Sequence, residues 1–273
     1  SQDDPMGLST RATVVKSISV RILDIIAEAN NLEVLCGDIG NDFVQASTDE
    51  KIYTRVGPEF GNRAYSMAVI IRALYGLTTS AERFRTLLAD FLRSLGFSPS
   101  RYDRDVWMKL NDEKDGYDYI CTHVDDFKIV ARDADKWLQK ISHTFLVKSH
   151  GPRSYYLGND YDYHEALDVW TYGGRTYTKE AIERVDRIFG CQAKVSTPLP
   201  VTDCHPECDD SSLLGLDDHM KYQVLLGMLQ WLVTICRPDL CHLVASLSRF
   251  GACPRESHLD LAVRSFGYLK TVP

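Results

Sequence analysis

The sequence predicts an α+β fold, and three observations carry that prediction. Residues 117–130 are rich in aromatic and β-branched side chains, broken only by Asp125-Asp126 and preceded by Asp115-Gly116. This is the pattern of an antiparallel hairpin whose turn presents two carboxylates. Four segments before residue 190 repeat apolar residues at three- and four-residue spacing, the period of helices with one buried face. From residue 219 onward the pattern is helical throughout.

In chain order, residues 11–30 read as a helix with Val14, Val15, Ile18, Ile22, Leu23, Ile25 and Ile26 as its apolar side, ended by Asn30-Asn31. Residues 32–35 form a short apolar run into Cys36-Gly37-Asp38, a buried strand ending in an acid. A second helix fits residues 80–95, with Phe84, Leu87, Leu88, Phe91 and Leu95 on one face and Gly96 just beyond. Residues 134–145 and 179–189 are two further amphipathic helices. After Pro198 and Pro200, residues 201–218 hold six acids and no Lys or Arg, which marks an acidic linker. Helices follow near 219–235, 239–250 and 257–269, in a tail with six bases against three acids. The expected division is therefore 1–200, a linker at 201–218, and a helical unit at 219–273.

Hydrophobic residues make up 44% of the 273 and charged residues 25%, ordinary values for a chain with a sizeable core. No stretch approaches the roughly 18 apolar residues of a membrane span. Ser1-Gln2-Asp3-Asp4-Pro5 does not open a secretory signal, so an intracellular, cytoplasmic protein is expected, neither secreted nor membrane-bound. Eight cysteines are then free thiols. Cys204-His205-Pro206-Glu207-Cys208, with Cys241-His242 further on, has zinc-type ligands without zinc-type spacing, and ordinary thiols are the better reading. A formal charge of -7 gives no sign of nucleic-acid binding through bulk charge.

Chemistry is expected where acids interrupt apolar strands, because a buried charge is costly unless compensated. Asp38, Asp125 and Asp126 are such acids. Three carboxylates converging from adjacent strands repel one another, and a divalent cation is the natural compensation. Two ions about 3.5–4 Å apart activate a hydroxyl and stabilise a leaving pyrophosphate. On spacing alone, a plain Asp-Asp hairpin turn explains the pair equally well.

The wider residues favour the first reading. His123-Val124-Asp125-Asp126, before Phe127-Lys128-Ile129-Val130, resembles the Tyr-x-Asp-Asp hairpin of reverse transcriptases. Asp38-Ile39-Gly40-Asn41-Asp42-Phe43-Val44 and Leu74-Tyr75-Gly76-Leu77 resemble motifs of copia-type LTR retrotransposon polymerases. So, in order, do Tyr156-Leu157-Gly158, Ser196-Thr197-Pro198-Leu199, Arg237-Pro238-Asp239, Leu247-Ser248-Arg249-Phe250 and Tyr268-Leu269-Lys270. The resemblance spans about residues 12–270 and identifies part of a Pol polyprotein. It implies a right-hand polymerase palm, an antiparallel sheet backed by helices, with incomplete fingers and a C-terminal helical thumb-like unit. The implied activity is RNA- or DNA-templated DNA synthesis, a nucleotidyl transfer from deoxynucleoside triphosphates to a template-primer duplex. By resemblance, Asp38, Asp125 and Asp126 are the catalytic acids and hold two Mg²⁺ ions, or Mn²⁺ in their place. Ile39, Asp42, Phe43, Tyr75 and Gly76 would bind the nucleotide, with Phe43 excluding a ribose 2′-hydroxyl. His123, Val124, Leu157 and Gly158 would contact the primer. The resemblance also implies ribonuclease H and integrase segments in the parent polyprotein, and a virus-like particle as its setting.

Four departures stand out. Asp42 replaces the family's Ala, and its charge should oppose a triphosphate unless it points away or is protonated. His123 replaces Tyr, and Thr78-Thr79 replaces a basic or amide pair. The triphosphate-binding fingers strands and the ribonuclease H continuation are missing from this chain. The alternative is a truncated or decayed copy that folds and at most binds nucleic acid.

Overall fold

The computed structural model describes residues 13–200 and 206–272. They divide into two compact units, one ending at Arg153 and one beginning at Ser154. The acidic stretch 201–218 thus falls within the second unit, and Cys204 and His205 lie outside the described residues.

The first unit runs α1 (Ser17–Asn30), β1 (Glu33–Ile39), α2 (Asp42–Gln45), β2 (Ser47–Arg55), β3 (Met67–Arg72), α3 (Ser80–Ser94), β4 (Ser98–Pro99), β5 (Val106–Leu110), β6 (Tyr117–His123), β7 (Asp126–Ala131), α4 (Ala134–Thr144) and β8 (Val147–Pro152). Six strands form one antiparallel sheet in the order β4-β5-β6-β7-β1-β8, and β2 pairs with β3 alone. Alternate residues of β7 serve opposite faces, as a pleated strand requires. Phe127, Ile129 and Ala131 join Phe84, Leu88 and Leu92 of α3 and Trp137, Leu138 and Ile141 of α4 in one apolar core. Gly37 of β1 is part of that packing. A Cβ there would come within 2.3 Å of the Phe127 ring, so only glycine lets the ring lie across the strand.

On the opposite face Lys128 is completely buried, and its ammonium is bonded to Asp24 of α1. Arg153 approaches the same carboxylate at 3.7 Å and also pairs with Glu28. This network seats α1 on the sheet and decides which side of the helix is buried. The expected stripe is corrected in part: Val15 and Leu23 are buried as read, together with Val20 and Ala27, but Ile18, Ile22 and Ile25 are exposed. A remote acid starts the helix, since the Asp103 carboxylate accepts from the Lys16 N–H at 2.9 Å and the Ser19 hydroxyl at 2.6 Å. Asn31, in the left-handed region with φ 55°, ends it as expected. The 80–95 helix and its Gly96 stop (φ 89°) are also as read.

The second unit contains β9 (Tyr155–Tyr156), β10 (Asn159–His164), β11 (Val169–Gly173), α5 (Arg175–Phe189), α6 (Leu216–Ile235), α7 (Cys241–Ser248) and α8 (Glu256–Leu269). The strands make a small antiparallel sheet, and the helices enclose a separate core around Tyr222, Leu229, Leu232 and Phe266. Helix α5 begins four residues earlier than its apolar period indicates, because Asp160 of β10 accepts from the Thr176 N–H at 2.8 Å and caps the first turn. Two of the family-type motifs meet here. Arg237 grips Asp239 through Nε and Nη2 at 3.0 and 2.8 Å, and the Tyr268 hydroxyl donates to the same carboxylate at 2.8 Å. No helix among the described residues is long and apolar enough to cross a membrane.

Candidate active site

The register of four neighbouring strands aligns His123, Asp126, Asp38 and Ser149 in one row across the sheet. Directly opposed residues of antiparallel strands point to the same face, with Cβ atoms about 4.5–5.5 Å apart. Asp38 and Asp126 therefore share the face that bears Lys128, away from the apolar core. Asp125 is the second residue of the loop Val124-Asp125 that joins β6 to β7. Its carbonyl accepts from the Ile39 N–H at 2.8 Å, which ties the loop to the end of β1. Ile39 reaches the site through this backbone group, since its side chain lies in the apolar core. Val124 holds φ at 57°, a strained value for a β-branched residue.

The acids act on one another. Burial pushes the Asp126 carboxyl up to about 6, with repulsion from Asp125 and Asp38 adding to the rise and His123 opposing it. Asp125 is raised as well, first by burial and then by Asp42 and Asp38, against a backbone hydrogen bond and Lys148.

Lys148 is a residue that sequence reasoning missed. The β1–β8 register slips between Asp38 and Ile39, so Lys148 is the extra residue of a β-bulge, a device that re-aims a side chain. Its stem lies across Gly40, where a Cβ would come within 2.5 Å, and its ammonium stands 3.7 Å from Asp38. No sequence signal marks it, because β8 reads as a polar, largely exposed strand.

Beside the acids lies a second group. Asp42 opens α2 and is buried, and its Oδ1 accepts a hydrogen bond from the Tyr75 hydroxyl at 2.5 Å. The extra acid is thus engaged inside the protein. The half-buried Phe43 ring packs on the core and faces the Tyr75 ring, with centroids 4.6 Å apart. Tyr75 and Gly76 (φ 98°) lie in the loop between β3 and α3, which Ser80 pins by donating to the Leu74 carbonyl at 2.6 Å. Leu157 and Gly158 belong to the second unit. Their φ values of 48° and 84° form the two-residue turn between β9 and β10, of the type in which both central residues are left-handed.

Three carboxylates are the donor chemistry of a hard divalent cation. Their mutual repulsion, and an ammonium drawn to Asp38, show that the site calls for positive charge. As arranged, no three His, Cys, Asp or Glu side chains among the described residues stand close enough to hold an ion. Asp38 and Asp126 are directly opposed across the two strands.

The chain as a whole resembles known proteins. A family model described as reverse transcriptase (RNA-dependent DNA polymerase) matches residues 6–198. The chain is 28% identical over 272 residues to the retrovirus-related Pol polyprotein from transposon RE1 of Arabidopsis thaliana, covering 97% of this chain and 18% of that protein. It is 24% identical to the corresponding polyprotein from transposon TNT 1-94 of Nicotiana tabacum, over 94% of this chain and 20% of the relative. With the transposon Ty5-1 protein of Saccharomyces cerevisiae it shares 26% identity, over 86% of this chain and 75% of the yeast protein. The chain spans about a fifth of the length of the plant polyproteins it resembles.

Proposed function

Because the chain belongs to the reverse transcriptase (RNA-dependent DNA polymerase) family, we propose that it is the polymerase core of a copia-type Pol polyprotein, extending a primer on an RNA or DNA template. The observation that carries this reading is the row placing Asp38 opposite Asp126, with Asp125 in a loop bonded to the end of β1. In this reading the six-stranded sheet is the palm and the helices of the second unit are thumb-like.

Asp38 and Asp125 would hold Mg²⁺ or Mn²⁺, with Asp126 completing the set, and bound ions would supply activation of the primer 3′-hydroxyl and charge compensation for the departing pyrophosphate. The protein's own residues orient the partners. Phe43 lies beneath the incoming sugar, and Tyr75-Gly76 line the nucleotide pocket. His123 and Val124 face the primer end, and the Leu157-Gly158 turn holds the primer strand. Lys148 offers the triphosphate a positive charge next to Asp38. The ribonuclease H and integrase segments of the parent polyprotein are further partners.

Primer extension tests the reading, with this chain and an N-terminally extended version assayed beside their Asp125→Asn variants. Extension should fall by roughly a thousandfold, about 4 kcal/mol of barrier, while circular dichroism stays unchanged. Equal extension by Asp125→Asn, or none by the extended wild type, overturns it; the second outcome favours a decayed copy.

A further inference from the structure

Asp42 and Tyr75 lie 33 residues apart in sequence, and their contact closes a loop around Phe43. Asp42 is 1% exposed, and a carboxylate so placed needs a partner. The Tyr75 hydroxyl supplies one at 2.5 Å. Tyr75 itself is 68% exposed, on a loop that turns at Gly76. Without a tether such a ring samples several rotamers. With it, the ring is held against Phe43 at 4.6 Å, while Phe43 also packs on the apolar core. Asp42 and Phe43 are adjacent in α2, so one short helix presents both the anchor and the ring that the anchor confines.

We propose that Asp42 is a positioning residue that acts through the Tyr75 hydroxyl to press Tyr75 onto Phe43, and so sets how sharply the pocket separates deoxyribonucleotides from ribonucleotides. This rests on the polymerase reading, in which Phe43 lies beneath the sugar. A ring held by both Tyr75 and the core cannot yield to a 2′-hydroxyl, whereas a ring held by the core alone can shift. The hydroxyl is also kept as a donor: the Asp42 hydrogen bond, with burial adding, pushes Tyr75 up to about 12.

The test titrates this chain, with Mg²⁺ and a template-primer duplex, against dATP and ATP, and reads the ratio of the two affinities. Asp42→Ala and Tyr75→Phe should each lower the ratio by roughly fivefold to tenfold, a part of what a charge-assisted hydrogen bond carries. The double variant should fall no further than either single one. Asp42→Asn keeps an oxygen acceptor and should restore most of the ratio. Tyrosinate absorbance gives a second readout. At about pH 10.5, just above an ordinary tyrosine, the Tyr75 signal, taken as the difference from Tyr75→Phe, should be nearly absent in the wild type and appear in Asp42→Ala. Unchanged ratios in both single variants, additive losses in the double, or an ionised Tyr75 in the wild type overturn the inference alone. A wild type that binds neither nucleotide overturns the polymerase reading, and the inference with it.

Discussion

On one face of the six-stranded sheet, Ile120, Phe127 and Ile129 are sealed beneath α3 and α4. On the other, one residue along the same strands, Asp126 and Lys128 carry charge beside Asp38. The first face is a continuous apolar layer. The second sets buried Cys36, Cys121, Lys128 and Val130 beside the acid row, whose carboxylates repel one another. One run of β7 therefore stabilises the fold with alternate residues and builds a strained polar site with those between. The pleat keeps the two tasks apart, so neutralising an acid of the row should change stability in the opposite direction to truncating the apolar layer.

The largest effect is expected on the apolar face. Phe127→Ala removes a ring that touches both Gly37 and the α3–α4 core, and should cost about 3–5 kcal/mol. Urea unfolding measures it, and a cost below about 1 kcal/mol would show that this face is not the main source of stability. Next comes Asp24→Asn, which leaves Lys128 buried without its carboxylate. A buried charge that loses its partner is expected to destabilise by about 3 kcal/mol, and Arg153, 3.7 Å from the same carboxylate, loses an attraction as well. The same measurement decides it. If Asp24→Asn is neutral, α1 is held by its apolar residues alone and the charged face is sturdier than its composition suggests.

The two faces were also unequally legible in the sequence. The hairpin could be read because Asp125-Asp126 interrupts an otherwise apolar run, and the helices of the apolar face because Phe84, Leu88 and Trp137 keep a clear period. The α1 face was misread because that segment is apolar on two sides, so periodicity alone offers two stripes of equal merit. The choice is made by Asp24 and Lys128, 104 residues apart, and complete burial of a lysine is rare enough that no pattern suggests it. The starts of α1 and α5 were hidden for a similar reason, since Asp103 in the β4–β5 loop and Asp160 of β10 cap them from distant parts of the chain. Lys148 enters the site through a bulge, which is a property of pairing register and leaves no trace in one strand. Strands β4 and β9 have two residues each, too few to show a period of two.

The smallest effect is the most specific to the charged face. Asp126 titrates near 6 in the folded protein, against 3.8 ordinarily, through burial and the charges of Asp125 and Asp38. With a chelator present and the pH above about 6, the carboxyl is ionised in both folded and unfolded chains, and only the folded chain bears the repulsion. As the pH falls below about 6, the folded state takes up a proton before the unfolded state does. It then binds more protons than the unfolded chain, so stability rises as pH falls toward 4 and is lost again as pH climbs through 6. The full rise from 3.8 to about 6 corresponds to about 3 kcal/mol. Solvent contact with the carboxyl reduces the expected effect to about 1 kcal/mol. Asp126→Asn should therefore stabilise the protein by about that amount at pH 7 and by almost nothing near pH 4, opposite in sign to Phe127→Ala. Asp125, raised in the same direction, leaves a residual slope in the variant. Urea unfolding at the two pH values gives the answer: a variant destabilised at pH 7 means that Asp126 supports the fold, and the contrast between the two faces fails.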